Sequence, residues 1–530
     1  MAELHEKLAQ ALSQLKELSG DAKKRIFKSA DFDRLNRERL IDAGYLSEVI
    51  NGWLMVTKPD ARPGDTVAWY SSYWEFVREY LNDRFGKNWI LSPEISVSLL
   101  AENLNVPMQL VVQSPSASNR PIELPMKKSI FAYRTQLPKF TPADKNGLRI
   151  YPAAEALAAA SPTLWTAAPM DALAVLGSIR STSQLLTPLL RDANVAAAGR
   201  IAGALAKIGR QKDADDVVKT MAGAGYQVRT VDPLERPVPM QISRPALPIV
   251  TRTKLLWAGL RDQVLDEFTE PPRIVNDREA YMASVDDLYV SDAYHSLSIE
   301  GYQVTEELIE RVKSGNWNPS RVKSDWEQYN ALAARGYWQA FQKVREAVEE
   351  IIAGGNAAQI VEANIQTWYR ELFAPSAAAG LIPAERLAGW RQHPVFLQNS
   401  SHVPVSWEAL PDAMEAYFDC VREEPDPRVR AVLGHFVFTW IHPMPDGNGR
   451  LGRFIMNCML ASAGFPWTVI PVGRRDEYLK ALEAASEKHD IKPLSALIFE
   501  LSKLQPPAPT QNKTPDLSLG NKGAAKDRER

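Results

Sequence analysis

Five prolines, at positions 233, 237, 239, 245 and 248, crowd the stretch from 232 to 250. A helix cannot absorb that density, because each ring removes a backbone donor and clashes with the preceding turn, and a central strand would lose a ladder bond at each one. The stretch is expected to be an extended linker, and it divides the 530 residues into two halves. Each half is long enough to bury a core of its own. With 45% hydrophobic and 24% charged residues, the chain belongs to the ordinary soluble globular class and is neither fibrous nor disordered throughout. Its 62 basic residues face 64 acidic ones, which argues against a uniformly basic nucleic-acid coat but leaves room for a local patch.

Before the linker, Leu8, Leu12 and Leu15 recur at helical spacing, and Arg34 to Ala43 reads as a second, charged helix ending at Gly44. Tyr45 to Val56 is aromatic and β-branched around Asn51-Gly52, a favourable turn between short strands. Helix, strand, turn and strand suggest a winged helix in an α+β region spanning 1–150, with further β-like runs at Val106–Gln113 and Ser129–Thr135. Residues 151–231 are Ala-rich and helical, broken by Pro162, Pro169 and Pro188. After the linker, 251–505 has helical periodicity throughout, and 506–530 is a polar tail expected to be disordered. Cys420 and Cys458 stand alone, which excludes a disulfide framework and fits a reducing cytoplasm. Met1–Leu12 carries Glu3, Glu6 and Lys7, so no secretory signal is expected, and prolines and Asp171 interrupt the most apolar run, 156–179, so no membrane span is expected either.

The chemistry concentrates in Phe436–Phe454. Val432, Phe436 and Trp440 mark a helix stopped at Pro443, and a second helix resumes over Leu451–Leu460. Between them lie His442, Asp446 and the run Gly447-Asn448-Gly449-Arg450. Glycines just before a helix leave backbone N–H groups unobstructed at the positive end of its dipole, which makes an anion site. Arg450 and Arg453 share one helix face and supply guanidinium forks for phosphate oxygens. Asp446 is a hard oxygen ligand suited to Mg²⁺ held jointly with phosphates, and His442 is placed to take a proton from an incoming hydroxyl. This constellation specifies phosphoryl or nucleotidyl transfer.

From His442 to Arg453 the sequence resembles the Fic motif, HPFx(D/E)GNGRxxR, at every specified position except Met444, where the family usually has Phe. Met is similarly large and apolar, and removes no functional group. The resemblance implies a mainly α fold, an all-helical Fic core with a small β-hairpin flap. It further implies that His442 activates a Ser, Thr or Tyr hydroxyl of a target protein, that Asp446 holds Mg²⁺, that Gly447, Asn448 and Gly449 cradle the α- and β-phosphates of ATP, and that Arg450 and Arg453 contact the outer phosphates. AMP would pass to the target and pyrophosphate would leave. Upstream, Ser296-Leu297-Ser298-Ile299-Glu300-Gly301 resembles the family's inhibitory motif (S/T)xxxE(G/N), which implies that Glu300 pairs with Arg453 and blocks the productive pose of the γ-phosphate. Trp390–Leu397 and Val403–Val405 look like the flap hairpin, whose edge would bind the target by strand addition, the alternative being an ordinary hairpin. Where many members read Tyr-Tyr and then Asn-Glu-Gly-Asp, this chain has Tyr478-Leu479-Lys480 and Ser486 to Asp490, which leaves Tyr478 either against the base or in the core. A nucleotide other than ATP and the reverse, AMP-removing reaction stay open.

Arg34–Met55 resembles the winged-helix start of AbiEi-type antitoxins, which implies that the N-terminal half binds DNA or a regulatory protein. Seven basic residues against two acidic ones between Arg120 and Arg149 favour phosphate contact, whereas the ten basic and ten acidic residues of 1–60 do not. The alternative to an enzyme is a DNA-binding regulator with a silent Fic core. Self-association is compatible with either reading.

Overall fold

A computed structural model describes residues 2–20, 24–59, 66–316 and 325–504. The tail expected at 506–530 lies outside the described residues.

The N-terminal half begins with α1 (Ala2–Ser19), β1 (Ile26–Lys28), α2 (Arg34–Asp42), β2 (Leu46–Ile50) and β3 (Trp53–Val56). The three strands form an antiparallel sheet in the order β1-β3-β2, with Ile50 opposite Trp53 across the Asn51-Gly52 turn. Asp33 caps α2 by accepting from the Asn36 N–H, the usual device for an orphan donor. Next come α3 (Val67–Phe85), β4 (Ile90–Leu91), α4 (Pro93–Leu100), β5 (Gln109–Ser114), β6 (Pro121–Leu124) and β7 (Lys128–Arg134). These strands make a sheet in the order β4-β5-β7-β6, in which β5 and β7 run parallel. The hairpin of β8 (Ala143–Lys145) and β9 (Leu148–Ile150) completes this region. Trp69, Tyr73, Phe76 and Trp89, all buried, form its aromatic core.

Six Ala-rich helices follow among the described residues: α5 (Ala153–Ala159), α6 (Leu164–Ala167), α7 (Pro169–Ser178), α8 (Thr182–Arg191), α9 (Val195–Lys207) and α10 (Gln211–Gly223). Their core also takes in Ile90 and Val97 from before them and Leu255 from beyond the prolines. The proline-rich stretch has no regular element before Pro248, which opens the next helix, yet it is fastened to these helices. Ile242 is buried and its N–H donates to the Ile208 carbonyl at 2.8 Å, and the Val231 N–H donates to Gly199 at 3.1 Å.

The C-terminal half is helical: α11 (Pro248–Glu267), α12 (Arg278–Ile299), α13 (Glu306–Lys313), α14 (Asp325–Ile352), α15 (Ala357–Ala378), α16 (Leu410–Glu423), α17 (Pro427–Ile441), α18 (Asn448–Ser462), α19 (Arg475–Lys488) and α20 (Lys492–Lys503). Helices α17 and α18 lie at its centre, buried on nearly every face, as their uninterrupted apolar runs require. The hairpin expected at 390–405 is absent: no strand is assigned there. The physical reason is that side chains take the main-chain groups a ladder would need. Arg391 Nη2 donates to the Val405 carbonyl, Asn105 Oδ1 accepts from the Val403 N–H at 2.8 Å, and Glu483 Oε1 accepts from the Ser401 N–H at 2.7 Å. None of the helices is long and apolar enough to cross a membrane among the described residues.

Candidate active site

The site is built where α17 ends and α18 begins. His442 is the C-cap of α17, in a left-handed conformation with φ 56°, and Pro443 prevents the helix from continuing. The turn throws the imidazole toward the start of α18. Its Nδ1 lies 3.2 Å from the Thr439 carbonyl, so that nitrogen carries the proton and Nε2 keeps a free lone pair. Burial pushes His442 down to about 4; Arg391 works in the same direction, and the Thr439 hydrogen bond, Glu300 and Asp446 oppose it. The ring is therefore neutral, and able to accept a proton, across the physiological range.

Gly447 caps α18 at φ 76°, a conformation that a side chain would strain, and Gly449 has a different reason for being glycine. A Cβ on Gly449 would sit 2.3 Å from Glu300 Oε1. The first turn of α18 thus presents bare backbone to whatever occupies that space. Asn448 does not point outward. Its side chain accepts from the Met444 N–H and donates to the Met444 carbonyl, each at 2.9 Å, and so closes the loop on itself. Met444 is fully buried, filling the core position expected of the family's Phe. The Asp446 side chain is 58% exposed, and its Oδ1 accepts from the Gly447 N–H at 2.6 Å and stands 3.7 Å from Arg450 Nη2.

The two arginines are buried side by side on α18 but held differently. Arg453 is gripped by the end of α12: Nε donates to Ser296 Oγ at 2.9 Å, and Nη2 donates to the Ser296 carbonyl at 3.0 Å and to Glu300 Oε1 at 2.8 Å. Arg450 lies between the rings of Tyr302 and Phe373, at 5.1 and 4.9 Å from their centroids, and its Nε and Nη2 have no hydrogen-bond partner among the described residues. Burial lowers the pKa of both guanidiniums, but the acids around them outweigh it and keep them charged. For Glu300 the balance is similar: burial raises its carboxyl, and Arg453 and Arg450 bring it below the ordinary carboxylate range.

Sequence reasoning named His442, Asp446, Gly447, Asn448, Gly449, Arg450, Arg453, Ser296 and Glu300, and all nine meet around the start of α18. It missed Tyr302 and Phe373, which sandwich Arg450, and Arg391, whose Nε donates to the His442 carbonyl at 2.8 Å and whose N–H donates to Pro443 at 2.9 Å. Tyr302 directly follows Gly301, so adjacency was its one signal; Phe373 had none. Tyr478, left between base and core, is in the core, 1% exposed with its hydroxyl 2.8 Å from His435 Nε2.

Two helices meet at a glycine-bounded loop, which brings together a histidine, a helix N-terminus and two buried arginines, a donor set whose chemistry suits a polyphosphate. Residues 359–460, in the C-terminal half of this chain, match the Fic/DOC family. The chain is 38% identical over 109 residues to the "Protein adenylyltransferase Fic" of Nematostella vectensis, covering 20% of this chain and 25% of that protein. Over 104 residues it is 34% identical to "Protein adenylyltransferase fic-1" of Caenorhabditis elegans, covering 19% of this chain and 20% of that protein. The chain thus spans a quarter or less of these relatives' length. A solved structure of C. elegans Fic-1, residues 134–508, aligns with 66% of this chain and 94% of its own, at 16% identity and a TM-score of 0.35.

Proposed function

We propose that this protein is an adenylyltransferase that moves AMP from ATP to a Ser, Thr or Tyr hydroxyl of a target protein, restrained by Glu300. The observation that carries the reading is the pairing of a neutral His442 with an α18 N-terminus whose Arg453 is already taken by Ser296 and Glu300. The hydroxyl oxygen attacks the α-phosphorus, its proton passes to His442 Nε2, and the bond to the bridging oxygen breaks so that pyrophosphate departs. Backbone N–H groups of α18 hold the α- and β-phosphates, and Arg450, fixed by its aromatic clamp with two donors to spare, neutralises the leaving pyrophosphate. Asp446 is a single exposed carboxylate, which fits a Mg²⁺ ion completed by phosphate oxygens and water; the ion would neutralise charge between the phosphates. Glu300 occupies the guanidinium that the γ-phosphate needs, so nucleotide binds without reaching the reactive pose.

The target would approach along residues 390–406, which flank His442. The N-terminal half acts on this reaction as a regulatory module. Its β1-β3-β2 sheet with α2 supports the winged-helix reading, but the basic residues that would follow a DNA backbone are largely engaged within the domain. Two buried, unpaired cysteines suit a cytoplasmic location.

The test is incubation of Glu300→Gly with α-labelled ATP and Mg²⁺, with His442→Ala alongside. Glu300→Gly should label itself or lysate proteins and His442→Ala should not. Equal labelling by His442→Ala, or none by Glu300→Gly, defeats the reading.

A further inference from the structure

Residues 390–406 lie between the catalytic loop and the N-terminal half and are bonded to both. On the catalytic side, besides the Arg391 contacts to His442 and Pro443, His402 Nε2 meets the Trp440 carbonyl at 2.8 Å and its ring stacks on that indole at 5.4 Å. On the other side the N-terminal half reaches across some three hundred residues of chain. Thr66 Oγ1 is shared between the carbonyls of Leu397 and Ser400, at 3.1 and 3.3 Å. Asn105 Oδ1 accepts from the Val403 N–H at 2.8 Å, Glu102 Oε2 accepts from Ser406 Oγ at 3.1 Å, and Phe396 packs against the aromatic core of that half. Glu102 is anchored in turn by an ion pair to Lys145, and its carbonyl accepts from Arg252 Nη1 at 3.2 Å. Arg252 is buried over the Trp440 ring at 4.9 Å and pairs with Asp171 of α7 at 3.2 Å.

A polypeptide can pair along an extended segment only through main-chain groups that are free. Here Leu397 O, Ser400 O, Ser401 N, Val403 N and Val405 O all have side-chain partners from Thr66, Glu483, Asn105 and Arg391. We infer that the N-terminal half is a gate on the protein acceptor: Thr66, Glu102 and Asn105 hold residues 397–406 closed beside His442, so that a target docks only when this hold is released. The inference rests on the adenylyl-transfer reading and adds a second control to it. Glu300 governs the nucleotide and the gate governs the hydroxyl donor, through residues that touch neither ATP nor His442. These are access-determining residues, outside the catalytic set.

The experiment uses the full chain in the Glu300→Gly background, with Thr66→Ala plus Asn105→Ala to open the gate, Ser406→Ala to cut it from the other side, and Asn105→Asp to preserve the acceptor for Val403. Hydrogen exchange reads the amides of Ser401–Val403, α-labelled ATP reads transfer to proteins of a host lysate, and a fluorescent ATP analogue reads nucleotide affinity. Losing hydrogen bonds of ordinary net strength should raise both exchange and labelling about tenfold in the opened variant, with affinity unchanged. Ser406→Ala should shift both in the same direction, and Asn105→Asp should match its parent. Unchanged exchange, or faster exchange with flat labelling, overturns the gate alone, provided Glu300→Gly itself transfers AMP. If neither the closed nor the opened protein transfers AMP, the adenylyl-transfer reading falls, and the gate falls with it.

Discussion

Two stretches of this chain concentrate positive charge, residues 120–149 in the N-terminal half and 442–453 in the C-terminal half, and they spend it in opposite ways. In the first, Lys128 is buried with its ammonium donating to the Val106 carbonyl, Lys145 pairs with Glu102, Arg149 donates to the Trp89 carbonyl at 3.0 Å, and Arg134 donates to Ala117 at 3.0 Å. Among the described residues, Arg120, Lys127 and Lys139 are exposed and make no such bond to the domain. In the second, Arg450 is almost fully buried, yet keeps two nitrogens unbonded and is fixed by aromatic faces that leave its edge free. Four of the seven basic residues in the first region are therefore spent within the domain, whereas the buried Arg450 of the second keeps donors unbonded. What matters is whether a charge, once buried, still has donors without a hydrogen bond.

The largest effect should come from His442→Ala, which removes the base and should lower AMP transfer about 10²- to 10⁴-fold in a Glu300→Gly background, read by single-turnover labelling. Arg450→Lys keeps the charge but loses the planar fork and its stacking between Tyr302 and Phe373; transfer should fall roughly 10- to 100-fold, and wild-type rates would show that the clamp is irrelevant.

Acid should weaken the fold through its buried histidines. Burial pushes His402 and His435 down to about 3 and His442 to about 4, from an ordinary 6.5, so the unfolded chain binds more protons than the folded one between those values. The stability due to these neutral rings is complete above 6.5 and is lost as pH falls toward 3. The urea midpoint should therefore decline between pH 6.5 and 5; a flat profile there would show that the rings titrate normally.

The smallest effects test the basic stretch itself. Arg149→Ala should cost about 1–2 kcal/mol, because the Trp89 carbonyl loses its partner, whereas Arg120→Ala should stay within about 0.5 kcal/mol by the same urea measurement. The reverse ranking would mean that the stretch is an outward-facing patch after all.

The candidate site at 442–453 was legible because it is local. A proline fixes where α17 stops, glycines fix where α18 can expose its N–H groups, and a spacing of three puts Arg450 and Arg453 on one face, all within twelve consecutive positions. The helix at 34–42 and the hairpin turn at Asn51-Gly52 were readable for the same reason. The absent 390–405 hairpin was misread because two of the groups that take its main-chain bonds, from Asn105 and Glu483, lie far away in the sequence.

The sequence alone determined which candidate residues share the loop at 442–453 and in what order. Only the tertiary structure decided how Arg453 is spent on Ser296 and Glu300 across more than a hundred and fifty residues, that Arg450 is clamped by Phe373, that Tyr478 belongs to the core, and that the N-terminal half grips the segment beside His442. Turn and helix geometry is set by backbone torsions within a few residues and leaves a signature in spacing. A contact between distant elements depends on how whole faces pack, and the side chains that make it carry no local mark of the partner they will meet.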